Sequence, residues 1–333
     1  MQLHFNESPY IFSIITLLAV SIGAYIVTRY IQQGKPRTKM IIRHDPLGFD
    51  VELWTQTFGS RKKPAILLIH GAGSLSAFWP DHFCKTLASA GYFVIRYDQR
   101  DSGYSSQFPK ATSVAEEGPY TFDDLAQDAL AVLDSYHLKK ASLIGHSLGG
   151  YLTYYLITQH PERFTSAVSI ASGPGLRPEI IERLKLPLSD KETERIMYSN
   201  HPIGDFSRDY PAWMRTWTAL HGELPIEDDR ARAYTQEFYN RSTRRPGAAR
   251  NHFATFLTMP VDMPEQLKTI SIPVLIIHGE KDTLLPVEHG QKAHTLIPQS
   301  EFKELKRAGH MFFNTQLWDT ITQTIVEFLN KNK

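Results

Sequence analysis

Cysteine is almost missing from this 333-residue chain: Cys84 stands alone. A single thiol excludes an intramolecular disulfide and any zinc site built on cysteines, and it fits a reducing compartment. An excess of charge of one sign is missing as well. Lys and Arg number 36 against 35 Asp and Glu, for a formal net charge of +1. No run of basic residues interleaved with aromatics, no phosphate loop and no internal repeat is found, so nothing points to a nucleic-acid partner. Hydrophobic residues at 42% and charged residues at 21% are ordinary for a globular protein. The length suits one large α/β domain with an insertion better than two unrelated enzymes.

Charge is also lacking in one local stretch. From Ser8 to Thr28, 21 residues pass without a charge, and Ile, Leu, Val, Ala, Phe and Tyr dominate. As a helix rising about 1.5 Å per residue this segment would span about 30 Å, the thickness of a bilayer core. A cleaved signal peptide is the competing reading. Its marks are absent: Met1 to Glu7 carries no Lys or Arg, and the apolar stretch exceeds a usual signal core. The expectation is a retained single-pass transmembrane helix. Arg29, Lys35, Arg37, Lys39 and Arg43 follow it before the first acid, Asp45, which predicts a cytoplasmic catalytic domain. Gln32 to Lys39, with Gly34 and Pro36, reads as a linker, so residues 1–39 form the expected anchor and linker.

The most informative residue present is Ser147, in Gly145-His146-Ser147-Leu148-Gly149-Gly150 directly after the apolar run Ala141 to Ile144. Gly-x-Ser-x-Gly between a strand and a helix is a nucleophile elbow. The turn tolerates only small residues two places before and after the serine, and Gly145 and Gly149 hold those places. The Leu148 amide then lies at a helix start, aimed at developing negative charge. A serine hydroxyl needs a base, and the base needs an orienting acid. Ile272 to Ile277 reads as a buried strand with Asp282 just beyond it, and Phe302 to Leu305 as the next strand with His310 in the following loop. The order Ser147, Asp282, His310 is the one such an elbow requires. Glu280 is a competing acid. His146 is expected to point away from the serine, and His160 precedes Pro161 at a helix end. A second oxyanion donor is sought in His70-Gly71-Ala72-Gly73 after the strand Ile66 to Ile69. The Ala72 amide is the natural partner of Leu148, with His70 bracing the loop.

On these residues, from about Met40 to Leu329, the chain resembles the α/β-hydrolase superfamily. The segment from Phe78-Trp79-Pro80 through Val94-Ile95-Arg96-Tyr97-Asp98-Gln99-Arg100-Asp101 looks like the aclacinomycin methylesterase group of carboxylesterases. Many relatives carry Gly where Asp101 stands, a departure that touches a turn. Superfamily members that attack with Asp are disfavoured by Ser147.

Alternating apolar strands and amphipathic helices predict a mostly parallel central sheet with helices on both faces. Met40 to His44 and Val51 to Phe58 read as an entry hairpin. Trp79 to Ala90 reads as a helix, as does Thr121 to Tyr136, with Thr121 as N-cap. The alternation stops between Gly175 and about Ile270. Five helical patterns there, over Glu179–Lys185, Asp190–Tyr198, Tyr210–Leu220, Asp228–Tyr239 and Gly247–Leu257, predict a helical cap at 176–270 between core segments 40–175 and 271–333. Its aromatics, including Tyr210, Trp213, Trp217 and Tyr239, are expected mainly to pack a small core of their own.

The resulting expectation is a membrane-anchored serine hydrolase acting on a small-molecule or lipid-like carboxylic ester. His310 takes the Ser147 proton, Asp282 orients His310, and the Ala72 and Leu148 amides bind the oxyanion. No metal or cofactor is required. Alternatives sharing the triad are a proline iminopeptidase-like peptidase, a cofactor-free perhydrolase and a carbon–carbon bond hydrolase. A peptidase would need acids such as Glu223, Glu227, Asp228 or Asp229 to hold a substrate amine. A non-catalytic ligand receptor on the same scaffold is the reading from another class.

Overall fold

Strands buried on both faces read as largely apolar runs, and four such segments contribute to the middle of the sheet. They are β3 (Ala65–Ile69), β4 (Phe93–Tyr97), β5 (Ala141–His146) and β7 (Val274–Gly279), each buried along its whole length. The computed structural model describes residues 37–44, 50–109, 118–200, 204–242 and 248–333. With β1 (Arg37–His44), β2 (Asp50–Phe58), β6 (Phe164–Ile170) and β8 (Ser300–Leu305) they form one eight-stranded sheet in the order β1-β2-β4-β3-β5-β6-β7-β8. Only β2 runs antiparallel to its neighbours.

Side chains along each strand alternate between two hydrophobic layers. Leu67 and Ile69 enter one with α2 (Phe122–Ser135), α3 (Leu148–Gln159) and α10 (Glu288–Leu296). Ile66 and Leu68 enter the other with α1 (Asp81–Ser89) and α11 (Thr315–Lys331). The N-terminus of α2 carries the expected cap as a reciprocal box: the Asp124 amide donates to Thr121 Oγ1 at 3.2 Å and the Thr121 amide to Asp124 Oδ2 at 2.9 Å. Cys84 is fully buried in α1, and burial pushes its thiol up to about 12.

Several expected boundaries move for local reasons. The strand β1 starts at Arg37 rather than Met40, because Arg37 to Lys39 pair with Thr55 to Thr57. The helix expected from Trp79 starts at Asp81, because Pro80 takes an extended backbone as its N-cap. Strand β7 starts after Pro273, which lacks a ladder donor.

Among the described residues no strand occurs between β6 and β7. That stretch holds α4 (Pro178–Leu184), α5 (Lys191–Ser199), α6 (Phe206–His221), α7 (Asp228–Ser242), α8 (Ala248–Ala254) and α9 (Met263–Leu267). Helix α6 starts four residues earlier than expected, where Asp205 accepts the Arg208 amide. The segment expected as one helix from Gly247 tightens into a 3₁₀ turn at Thr255–Thr258. The aromatics do pack on one another here: Trp213 stacks on Trp217 at 4.9 Å, and the Trp213 indole donates to Tyr239 at 3.1 Å. The expected span at 8–28 lies outside the described residues. Among those residues, no helix is long and apolar enough to cross a membrane.

Candidate active site

Strand β5 ends in a turn that forces Ser147 to φ +53°, a value an L-residue adopts only at a cost. The turn is closed by the Ser147 amide, which donates to the Ile170 carbonyl at the end of β6 (2.9 Å). A side chain at Gly145 would come within 2.0 Å of the Gly149 carbonyl, so the approach of strand and helix requires glycine there. Helix α3 starts at Leu148 immediately afterwards, and Ser147 is half-buried between fully buried neighbours.

The loops after β7 and β8 bring Asp282 and His310 together. His310 Nδ1–H donates to Asp282 Oδ2 at 2.7 Å, and both residues are buried. Asp282 Oδ1 accepts the Leu284 and Leu285 amides at 3.0 and 2.8 Å. His278 Nε2 stands 3.5 Å from Oδ2 while donating to the Leu285 carbonyl at 2.7 Å. Burial works to raise the Asp282 carboxyl, but the His310 charge and the hydrogen bonds from His278 and His310 hold it well below the usual carboxylate range. Glu280 is directed elsewhere, to Lys306 at 3.3 Å and the Arg307 amide at 3.0 Å.

The main chain around His310 is docked on the C-terminal end of α6. Orphan carbonyls at that helix end need donors, and the Gly309 amide supplies one to His221 (2.8 Å), while those of His310 and Met311 both reach Leu220 (2.6 and 2.9 Å).

The loop after β3 runs beside the elbow. A side chain at Gly71 would lie 3.0 Å from the Ser147 Cβ, so glycine permits the contact. His70 braces this loop as expected: its Nδ1–H donates to the Gly71 carbonyl at 2.9 Å and its Nε2 accepts the Gln99 amide at 3.2 Å. Burial depresses His70 to about 3, which keeps the ring neutral. Among the described residues, the amides of Ala72 and Leu148 are given to no other acceptor.

His146 makes contacts that its position in the sequence did not predict. It stays at the site: Nε2–H donates to the His310 carbonyl at 2.8 Å, and the ring stacks on Phe78 at 4.2 Å. Burial and the nearby His310 hold it well below the usual histidine range, so it serves as a neutral brace. Chain order gave no signal for this contact, nor for His278.

Among the described residues no group of three or more His, Cys, Asp or Glu is arranged to hold a metal ion. A cavity of about 280 Å³ lies between α7 and the start of α11, walled by Phe78, Tyr234, Phe312, Phe313 and Trp318 together with charged residues. Ser147, Asp282 and His310 do not line it, and its arginines are already paired, as Arg96 is with Asp81 at 2.6 Å and Arg230 with Glu227 at 2.7 Å. The candidate site is therefore located by the Ser147 turn and the His310–Asp282 pair, not by this cavity.

Residues 64–316 match the alpha/beta hydrolase fold family. The chain belongs to that family. Rhodomycin D methylesterase DauP of Streptomyces sp. strain C5 is 31% identical over 295 residues, covering 82% of this chain and 92% of the relative. Rhodomycin D methylesterase DnrP of Streptomyces peucetius is 30% identical, covering 78% and 89%. In fold, this hydrolase-family chain matches a thermophilic esterase from Thermogutta terrifontis with a TM-score of 0.67 at 20% identity, over 89% of this chain and 98% of that one.

Proposed function

We propose that this chain is a serine hydrolase that cleaves a carboxylic ester through an acyl-enzyme. The observation that carries the reading is the buried 2.7 Å hydrogen bond from His310 to Asp282 on the sheet edge that also carries the Ser147 elbow. His310 Nδ1 is committed to Asp282, which leaves Nε2 to accept the Ser147 proton as the hydroxyl attacks the ester carbonyl. The tetrahedral oxyanion is bound by the amides of Ala72 and Leu148. Collapse expels the alcohol, protonated by His310, and water cleaves the acyl-enzyme with His310 again the base. The methylesterase relatives favour a small alcohol leaving group. Three of the four candidate acids of the peptidase reading are already paired: Glu223 with Lys281 at 3.1 Å, Glu227 with Arg230 at 2.7 Å, and Asp228 with Tyr210 at 2.9 Å.

The helical stretch 176–270 is read as a cap over the core, and residues 8–28 as a membrane anchor that leaves the hydrolase on the cytoplasmic side. The uncharged run and the five cations after it support the anchor.

Labelling with a fluorophosphonate probe and turnover of p-nitrophenyl and methyl esters test the chemistry. Wild type is expected to label and turn over. A folded Ser147→Ala protein is expected to lose labelling and on the order of 10⁴- to 10⁶-fold in rate. Near-normal hydrolysis by that variant would remove Ser147 from the mechanism.

A further inference from the structure

We infer that the helical insertion holds the oxyanion loop in register, and that His252 on α8 and Tyr234 on α7 are the positioning residues. The inference rests on the serine-hydrolase reading, but its structural half can be measured without any substrate.

Each peptide of the loop is tied down. Gly71 C=O and Ala72 N–H belong to one peptide plane and point in opposite directions. The carbonyl accepts from His70 Nδ1–H (2.9 Å) and from the Ser74 amide (3.3 Å), which fixes where the Ala72 N–H points. The next amide, Gly73 N–H, is spent on His252 Nδ1 at 3.0 Å. It is therefore withdrawn from the oxyanion, and Ala72 remains the donor. Gly73 itself sits at φ +63°, a hinge with more backbone freedom than other residues and hence more to lose if untied. The Ser74 hydroxyl meets the Tyr234 hydroxyl at 2.7 Å, and the Ser74 carbonyl accepts from Ser102 Oγ at 2.8 Å.

The insertion's grip is itself anchored. Because His252 Nδ1 accepts from an amide, the ring proton is on Nε2, which donates to the Arg100 carbonyl at 2.7 Å. Arg100 is locked in turn by two 2.7 Å bonds to Asp128 on α2. A neutral, fully buried imidazole with both nitrogens used thus links α8, the turn after β4 and the loop after β3. The geometry demands an acceptor on the Gly73 side and a donor on the Arg100 side, which distinguishes the two amide isosteres. Asn places its oxygen near the Nδ1 position and keeps the bond to Gly73. Gln places its amide nitrogen near the Nε2 position, keeps the bond to Arg100 and leaves Gly73 without its acceptor.

The test compares His252→Gln, His252→Asn and Tyr234→Phe in the full chain. Misplaced catalytic groups typically cost up to about 10²-fold. His252→Gln is therefore expected to lower kcat about 10- to 100-fold with KM changed no more than about threefold, since the oxyanion forms only on the way to the transition state. A boronic acid that mimics the tetrahedral adduct should lose affinity in parallel. His252→Asn should stay within about fivefold of wild type, since its acceptor is retained. Hydrogen–deuterium exchange across residues 71–74 should speed up in the Gln variant and not in the Asn variant. Equal exchange, kcat and boronate affinity in the two variants would overturn the assignment, as would equal losses in kcat and KM with a lowered melting temperature in both. If His252→Gln does not fold, Tyr234→Phe decides: unchanged exchange at 71–74 together with unchanged kcat would count against the insertion as the holder. A wild-type protein that fails to label with fluorophosphonate refutes the enzymatic reading alone, and the exchange comparison still judges the positioning.

Discussion

A carboxylate buried with its charge persists only where donors surround it, and Asp282 meets that condition through two loop amides and the His310 imidazole, with His278 nearby. The energetic sign follows from its carboxyl being held well below the usual range despite burial. A depressed carboxylate contributes stability in full above the unfolded-state pKa of about 3.9, and that stability is lost as pH falls through the folded value. Thermal melts of wild type and Asp282→Asn should therefore differ most near neutrality and converge as pH drops below about 4. A gap that is constant with pH would mean that the charge of Asp282 is not what stabilises the fold. The same substitution should lower ester turnover on the order of 10⁴-fold, since Asn cannot hold His310 in the reactive tautomer.

The turn after β4 shows how an element accommodates a non-glycine residue in a left-handed backbone. Asp101 occupies φ +62°, the left-handed region where glycine is favoured. Its carboxylate offsets that cost by accepting the Phe108 amide at 2.6 Å and Asn251 Nδ2 at 2.7 Å. Asp101→Ala keeps the strain and loses both bonds, for an expected loss of about 2–4 kcal/mol. Asp101→Gly loses the bonds but relieves the strain, and should be the milder change by about 1 kcal/mol. Urea denaturation of both variants gives the order, and a less stable Gly variant would show that backbone strain is not the governing factor. At this scale much was legible before any coordinates. Buried parallel strands announce themselves as apolar runs such as Ile66 to Ile69, and loops at the C-terminal ends of such strands converge on one edge. The proximity of Asp282 and His310 follows from that rule. The His146 contact was not legible because its partner, the His310 carbonyl, is placed by the docking of its loop on α6, which no local pattern encodes. His252 lies 179 residues from Gly73, and neither a motif nor a period connects them. Boundaries slipped where proline or a capping aspartate overrode the hydrophobic pattern, as at Pro80, Pro273 and Asp205.

For the whole molecule, the sheet begins at Arg37, so the uncharged run lies ahead of every described element. On the anchor reading, deleting Met1 to Gln33 is expected to move the protein from the membrane pellet to the supernatant with ester turnover within about twofold, because the family match begins only at residue 64. Loss of activity in a folded truncation would mean that the segment contributes to the hydrolase, and recovery of the full chain in the supernatant would sink the anchor. The same linear order has a consequence in time. Strand β6 pairs with β5 on one side and β7 on the other, yet roughly a hundred residues of helical insertion separate β6 from β7 in the chain. At a synthesis rate of about 5–20 residues per second, a nascent chain carries β6 as an open edge for about 5–20 s. During that interval a row of unpaired backbone donors and acceptors is exposed beside apolar side chains, an invitation to pair with another chain. The loops that will bear Asp282 and His310 do not yet exist, so the elbow serine is made first and waits, unarmed, on an unfinished sheet.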